Sequence, residues 1–437
     1  MMPHSLEGWL EHIDRQHGQV IDMGLDRVRL VLERLQVDRT RLGRVITVAG
    51  TNGKGSTVAV LDLVLRAQGF RVGTYTSPHL LRYNERVRLD GEDLDDQSLC
   101  KSFAQVEAAR ADTPLTYFEF GTLAAIASFA NMGVDFTILE VGLGGRLDAV
   151  NVIDPDLALI TTVDIDHVDW LGNDREVIGR EKAGILRPGI PFVCGDLAPP
   201  DSLRSQVQLL ACSGYWRNLD FSIEDAASAQ KGSIQSGQWN WHGQTRSHQS
   251  LQRNGLPGLS VPRDNVAAAL QALAILEALP DEEQLAHILE GVSVPGRFYQ
   301  VAKQPQVVLD VGHNPQAARY LAERIRQVGG RWRAVYSGLV DKDIVQVLSE
   351  LTGVVSCWYS APLDCERAAT QEVLASSFAK AGVSQVQWAS TISEAFQQAL
   401  SDAEADEHVL IFGSFYTVAA VLQLVQDEPS LLTQGSR

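Results

Sequence analysis

VITVAGTNGKGSTVAVLDLVLRAQG, Val45 to Gly69, is the stretch that decides the fold. Five residues of strand character lead into a loop with three glycines, and from Ser56 an apolar-periodic helix runs until Gly69 ends it. Strand, glycine loop and helix make a phosphate cradle. Glycines let backbone N–H groups face inward without Cβ clashes, and the positive end of the helix adds to the attraction for an anion. Lys54 would neutralise phosphate charge, and Ser56 or Thr57 could offer a hydroxyl to Mg²⁺. The common nucleotide pattern is G-x-x-x-x-G-K-[ST]. Here Gly55 stands between Lys54 and the hydroxyls, so the pattern is broken by one inserted residue. The bland alternative is a Gly/Ser-rich turn that binds no phosphate; the lysine, the hydroxyls and both flanks weigh against it.

The chain around this loop has 437 residues, which suggests two or three domains. Its 45% hydrophobic and 21% charged content is that of an ordinary globular protein. A net charge of −17 argues against a nucleic-acid partner, which needs a basic face. Five cysteines, widely spaced and without a C-x-x-C, read as thiols in a reducing compartment. The first residues carry no basic flank followed by an apolar core, and no apolar run approaches the ~20 residues of a membrane helix. A cytoplasmic protein with no membrane partner is expected. Ser5 to Gln16 and Leu25 to Leu35 suit two short amphipathic helices ahead of the cradle.

Beyond the cradle, strand-like and helical runs alternate. Strands are expected at Val72–Thr76, Phe136–Val141 and Leu157–Val163, with helices at Ser98–Ala111 and Phe120–Met132. The strands are apolar almost throughout, which implies a mainly parallel sheet covered on both faces, with ligands beyond the strands' carboxyl ends. Ser77, Glu140 and His167 lie at or just past such ends, and Lys182 lies on the helix that follows. Singly, each has an ordinary explanation: a Ser-Pro turn, a solvated carboxylate, a loop cap and a surface lysine. Jointly they converge on the edge that carries Lys54.

Eight segments carry a more specific resemblance: GTNGKGST, TSPHL from Thr76, TYFEF from Thr116, LEVGLGGRLDAVN from Leu139, TTVDIDHVDWLG from Thr161, REKAGI from Arg180, PGRF from Pro295 and LDVGHNP from Leu309. In this order they resemble the folylpolyglutamate synthases, including the bifunctional bacterial dihydrofolate synthases, within the Mur ligase superfamily of ATP-dependent amide-bond ligases. The resemblance implies an α/β fold: a P-loop-type, mainly parallel sheet domain with a small antiparallel appendage, then a C-terminal Rossmann-like domain. Boundaries are expected at 1–291 and 299–437, with a linker loop at 292–298.

The same resemblance implies roles. Lys54 meets the β- and γ-phosphates of ATP, with Gly53 and Gly55 giving backbone N–H groups. Ser56, Ser77, Glu140 and His167 resemble ligands of two Mg²⁺ ions, although imidazole is an unusual Mg²⁺ ligand. Lys182 resembles a lysine carried as N-carboxylysine, whose formation needs a neutral amine. Asn265, Arg297 and Asp310 resemble residues completing the ATP site from the far side, and His313 is expected near the transferring phosphate or the glutamate. Thr76, Ser77, Pro78 and His79, with Thr116, Tyr117, Phe118 and Glu119 and with Leu147, Asp148 and Ala149, are expected to line a pterin pocket. Phe118 would stack on the ring and Glu119 would accept hydrogen bonds from it, whereas Phe120 reads as core.

The segment Trp216–Leu259 is polar and reads as the antiparallel appendage. After Phe298, VVLDVG, RAVYSGL, VVSCWYS, VSQVQW and HVLIFGS alternate with helical runs without a dinucleotide fingerprint. Two domains closing on ATP would exclude water from a reactive intermediate. The implied reaction joins L-glutamate to dihydropteroate or to a reduced folate. A cell-wall Mur ligase is the nearest alternative, but it carries an N-terminal UDP-binding domain, and only about 44 residues precede the first strand here. A non-catalytic nucleotide-binding module would not need Glu140, His167, Lys182 and Asp310. Nothing in the sequence demands a partner chain, so a monomer is expected.

Overall fold

The structure is a computed structural model, and it describes residues 3–16, 22–226, 237–404 and 406–433. The chain divides into two units: residues 1–225, 239–256 and 262–292 form the first, and residues 226–238, 257–261 and 293–437 the second.

Strands of the first unit's main sheet are β1 (Arg44–Ala49), β2 (Val72–Tyr75), β3 (Val87–Leu89), β4 (Glu92–Asp93), β5 (Phe136–Glu140), β6 (Leu157–Ile160), β7 (Pro191–Cys194) and β8 (Ser213–Trp216). They lie in the order β4-β3-β2-β5-β1-β6-β7-β8, parallel from β2 to β8, with β3 and β4 antiparallel at one edge. This order matters for function. The chain leaves β1, passes to β2, returns to β5 beside β1, and then crosses to β6 on β1's other side. Loops following β2, β5, β1 and β6 are therefore neighbours at one edge, around a switch point where α/β sheets bind ligands.

Helices of this unit are α1 (Leu6–Asp14), α2 (Asp26–Leu35), α3 (Lys54–Ala67), α4 (Asp96–Arg110), α5 (Tyr117–Met132), α6 (Val168–Leu171), α7 (Arg175–Lys182), α8 (Asp201–Leu209), α9 (Arg263–Ile275) and α10 (Glu282–Glu290). From Glu119 to Ala130 every residue of α5 is buried, as expected of a helix that is apolar all round. Its first turn corrects the sequence reading, which began the helix at Phe120. Thr116 is the N-cap and Glu119 closes a capping box with it, so Tyr117, Phe118 and Glu119 are helical. Phe120 is core, fully buried against Phe103.

The appendage is a three-stranded antiparallel sheet of β9 (Ser222–Asp225), β10 (Trp239–Gln244) and β11 (Ser250–Leu256). Trp239 and Trp241 alternate inward along β10, and the indole of Trp241 donates to the Ala267 carbonyl of α9. Trp216, expected in the appendage, instead ends β8 of the main sheet. Residues 227–236 of the expected appendage lie outside the described residues.

The second unit holds β12 (Tyr299–Lys303), β13 (Gln306–Asp310), β14 (Arg331–Tyr336), β15 (Val355–Ser360), β16 (Gln387–Trp388) and β17 (Glu407–Phe412), in the order β12-β13-β17-β14-β15-β16. All pairs are parallel except the edge hairpin β12–β13. Five helices connect and cover them: α11 (Pro315–Val328), α12 (Ile344–Leu351), α13 (Gln371–Lys380), α14 (Ile392–Ser401) and α15 (Phe415–Asp427). Among the described residues, no helix is long and apolar enough to cross a membrane.

Candidate active site

The cradle is built by the end of β1. Gly53 caps α3 with φ +88°, a conformation that side chains resist, and a Cβ there would lie 2.3 Å from Asn265 Oδ1. Asn265, expected on the far side of the site, thus belongs to the first unit and packs against the loop itself, where α9 meets α3. The loop is also tied to the segment after β6. Thr51 N–H donates to the Thr162 carbonyl (2.8 Å), Asn52 N–H to Thr162 Oγ1 (3.0 Å), and Thr161 Oγ1 to the Asn52 carbonyl (2.6 Å). Lys54 folds back, its Nζ donating to the Gly50 carbonyl at 3.0 Å.

At the start of α3, Ser56 is 1% exposed and its hydroxyl oxygen has no hydrogen-bond partner; the Thr57 hydroxyl is likewise buried and unpaired. Such a group costs free energy unless a ligand satisfies it. Glu140, the last residue of β5, lies on the neighbouring strand end, 4% exposed, and accepts from the Ser77 N–H at 3.3 Å. A Cβ added at Gly55 would stand 3.8 Å from its Oε2. Hydroxyl and carboxylate oxygens of this kind suit Mg²⁺. Among the described residues no three His, Cys, Asp or Glu gather as a metal cage. An ion held here would therefore share its ligands between the protein and nucleotide phosphates, the usual arrangement for Mg²⁺.

Lys182 ends α7 and is 3% exposed, with no hydrogen-bond or ion-pair partner among the described residues. Burial, helped by the positive charge of Lys54, pulls its amine down to about 7, while Asp166 and Asp148 pull the other way. Surface-lysine behaviour is excluded by this burial. The loop that follows β5 is moulded onto it. A Cβ at Gly145 would come within 2.9 Å of the Glu181 carbonyl, and Arg146 N–H donates to that carbonyl at 2.9 Å. Asn151 Nδ2 joins the carbonyls of Arg146 and Gly184, both at 3.0 Å. This is why LEVGLGGRLDAVN and REKAGI sit together.

His167 lies seven residues past the end of β6 rather than at a strand end, because β6 stops at Ile160. It has left-handed φ and caps the short α6. Exposed Ile165, Val168 and Trp170 flank it.

The segments expected around a pterin come together as well. Phe118 tilts against Tyr75 (centroids 5.8 Å apart) and uses the space left by Gly142, where a Cβ would lie 2.7 Å from its ring. Asp148 is buried and accepts from the N–H groups of Leu143 (2.8 Å) and Val150 (3.1 Å). Burial lifts its carboxyl to about 6 against the pull of those N–H groups and of Lys54. Leu147 is half-buried and Ala149 buried beside it. His79 is held down at about 4 by burial and by Arg86, whose Nε donates to its Nδ1 at 2.8 Å. Ser77 and Thr76 are half-buried and Pro78 is exposed. Glu119 spends its carboxylate within the protein, one oxygen on the Thr116 N–H (2.7 Å) and the other on Arg27 (2.8 Å).

Arg27 also pairs with Asp22 at 2.7 Å, so one guanidinium links Asp22, just before α2, to Glu119. The sequence reading singled out neither residue. Arg27 is one of several charges on an amphipathic helix, and only its long-range bond to Glu119 marks it.

In the second unit, Asp310 ends β13 and burial raises its pKa. Its two oxygens accept from Phe298 N–H (2.8 Å) and Gly312 N–H (2.7 Å), holding the PGRF loop on which Arg297 stacks over Phe415 (5.2 Å). His313 has Nδ1 3.0 Å from the Val311 carbonyl, so that nitrogen carries the proton and donates.

A glycine cradle on a parallel sheet, followed by a second α/β unit, is the layout of the Mur ligases. Two family models match accordingly: "Mur ligase middle domain" over residues 48–191 and "Mur ligase, glutamate ligase domain" over residues 296–415. The chain belongs to the bacterial dihydrofolate synthase/folylpolyglutamate synthase family of ATP-dependent ligases. It is 41% identical over 422 residues to the enzyme of that name from Escherichia coli strain K12, covering 96% of this chain and 95% of the relative. The Haemophilus influenzae counterpart is 37% identical over 96% of this chain and 98% of its own. Among solved structures, E. coli FolC in complex with DHPP and ADP superposes with a TM-score of 0.88 at 39% identity, over 98% of this chain and all 100% of that one. A bifunctional folylpolyglutamate synthase/dihydrofolate synthase with Mn, AMPPNP and L-glutamate bound gives 0.86 at 43% identity, over 98% of this chain and 100% of that one. The expected α/β, Mur-ligase-like architecture is borne out.

Proposed function

We propose that this protein joins the amino group of L-glutamate to dihydropteroate, and to the γ-carboxylate of reduced folates, by way of an acyl phosphate formed with ATP. The observation that carries the reading is Lys182, a buried lysine whose amine has no partner among the described residues and is held near neutrality, with Lys54, Asp166 and Asp148 as its charged neighbours. Such an amine is poised to take up CO₂, and the N-carboxylated form would turn a cation into an oxygen donor.

Ser56, Ser77, Glu140, His167 and the modified Lys182 would hold two Mg²⁺ ions. When bound, the ions neutralise charge on the phosphates and on the transferring phosphoryl group. Lys54 leaves its loop carbonyls for the β- and γ-phosphates, and the N–H groups of Gly53 and Gly55 cradle them. Asn265 meets the adenine, Arg297 the phosphates and Asp310 the nucleoside end. Thr76 to His79, Thr116 to Glu119 and Leu147 to Ala149 orient the pterin, with Phe118 as its flat partner. The substrate carboxylate attacks the γ-phosphorus and ADP leaves. Glutamate nitrogen then attacks the acyl carbon, and the tetrahedral intermediate expels phosphate, with His313 near the transferring group. Stabilisation of accumulating negative charge is the main catalytic device, and no covalent enzyme intermediate is needed.

The deciding experiment incubates purified protein with ATP, Mg²⁺ and L-glutamate and offers dihydropteroate or a reduced folate in parallel. ADP release coupled to a new amide on both substrates is expected. Release on neither would overturn the reading, and release on one would make the enzyme monofunctional.

A further inference from the structure

We infer that Glu85 and Arg86 are positioning residues for the Thr76–His79 segment, setting its backbone and the His79 ring before substrate arrives. The inference rests on the proposed assignment of that segment to the folate and metal side of the site.

Between β2 and β3 the chain makes an excursion of eleven residues, 76–86, closed at its base by the Thr76 N–H bonding to the Arg86 carbonyl at 2.9 Å. Glu85 organises the excursion from within. Its two carboxylate oxygens accept three consecutive backbone N–H groups, those of Leu80, Leu81 and Arg82, each at 2.7 Å. Three short charge-assisted bonds on one carboxylate fix the turn that directly follows Ser77-Pro78-His79. Glutamine at this position has only one accepting oxygen, and its NH₂ group would face donors. At least one of the three N–H groups would then lose its partner.

Arg86 extends the hold to a side chain. Its Nε–H donates to His79 Nδ1 at 2.8 Å. A guanidinium has no acceptor, so Nδ1 must present its lone pair and the ring proton must sit on Nε2. His79 is thereby fixed as a hydrogen-bond donor at Nε2. The guanidinium itself is kept in place by two rings, lying 5.5 Å from the centroid of Tyr83 and 5.4 Å from that of Tyr117. Tyr117 is the first residue of α5, so the same cation links the Thr76–His79 segment to the Thr116–Glu119 segment. Neither side chain bonds to the phosphate cradle, and their bonds fall on residues 79–82, past Ser77. Damage should therefore appear chiefly on the folate side of the reaction and leave ATP little changed.

The test uses the full chain as wild type, Glu85→Gln and Arg86→Gln. With saturating ATP and L-glutamate, kcat/KM for dihydropteroate should fall roughly 10- to 100-fold in each variant, the range seen when supporting partners of ligand-holding residues are removed. KM for ATP should stay within about twofold, since uniform damage to the enzyme would move both. In ¹⁵N-histidine-labelled protein, wild type should show one histidine locked with an unprotonated Nδ1, and Arg86→Gln should release it to a mixture of tautomers. Unchanged kcat/KM in both variants, or equal losses for ATP and dihydropteroate, would overturn the inference, as would an unaltered histidine spectrum in Arg86→Gln. If Glu85→Gln fails to fold, Arg86→Gln decides alone. The histidine spectrum needs no turnover, so it reads Arg86 even if the wild type forms no product and the proposed function fails.

Discussion

Replacing Lys182 with methionine should make the protein more stable and catalytically dead. Methionine reproduces the unbranched lysine side chain as far as Cε and removes the buried amine. The folded chain releases the Lys182 proton at about 7, whereas the unfolded chain keeps it to the ordinary 10.5. At about 1.4 kcal/mol for each factor of ten, that difference amounts to on the order of 5 kcal/mol of destabilisation below neutral pH. The sign follows from proton counting. Between pH 7 and 10.5 the unfolded state binds more protons, so stability from this group rises with pH across that window and is flat on either side.

Urea unfolding of metal-free and nucleotide-free protein, in CO₂-depleted buffer at pH 6.5, 8 and 9.5, measures this. The variant should be the more stable at pH 6.5 and should lose most of its advantage by pH 9.5. Wild-type and variant curves that stay parallel at all three values would show that the amine is not desolvated in the folded state. The chemical rationale for its carboxylation would then be lost.

Other perturbations probe the remaining parts. Lys54→Ala should abolish ADP release with the melting temperature nearly unchanged; normal turnover would remove the cradle from the mechanism. The same variant removes a positive neighbour of Lys182, so the Lys182 amine should titrate higher, readable by the pH dependence of its chemical modification. Gly53→Ala forces a side chain into φ +88° and against Asn265, and should cost about 1–2 kcal/mol and raise KM for ATP; a wild-type KM would contradict the packing of Asn265 on the loop. In the second unit, Arg333→Met strips Glu407, fully buried, of a 2.6 Å partner and should cost about 3 kcal/mol in denaturant unfolding; a loss under about 0.5 kcal/mol would mean Arg331 and the Glu404 N–H satisfy that carboxylate without it.

Strand-loop-helix chemistry made the first unit legible. Val45 to Gly69 predicts β1, the cradle and α3 because apolar period, glycine and lysine all report on local backbone geometry. The edge shared by Ser77, Glu140 and Lys54 follows from parallel alternation, since successive βα units put their loops on one side. What the sequence hides is long-range: Arg27 reaching Glu119 across 92 positions, or Asn265 filling the space that Gly53 leaves. These depend on which surfaces meet, and no local period encodes that. Burial is hidden in the same way. Lys182 has the sequence context of a solvated helical lysine, and only its burial in the fold, with Lys54 near it and the loop of Gly145 and Arg146 packed on its backbone, makes it a poor base.

The inserted Gly55 shows what a local irregularity can and cannot tell. In the common pattern the hydroxyl follows the lysine directly. Here Gly53 caps the helix, Lys54 begins it, and the inserted glycine delays the hydroxyls to Ser56 and Thr57. Both are then carried into the buried start of the helix, and both remain without partners. A buried hydroxyl that forgoes a bond to its own helix is costly, and two adjacent ones are hard to explain by packing alone. Glu140, on the neighbouring strand end and close to the position a Gly55 side chain would take, supplies a carboxylate beside them. A bound cation and phosphate would satisfy at least the Ser56 oxygen, which connects the irregular spacing to the proposed chemistry. The sequence marks the insertion, but the cost that gives it meaning lies in the folded environment.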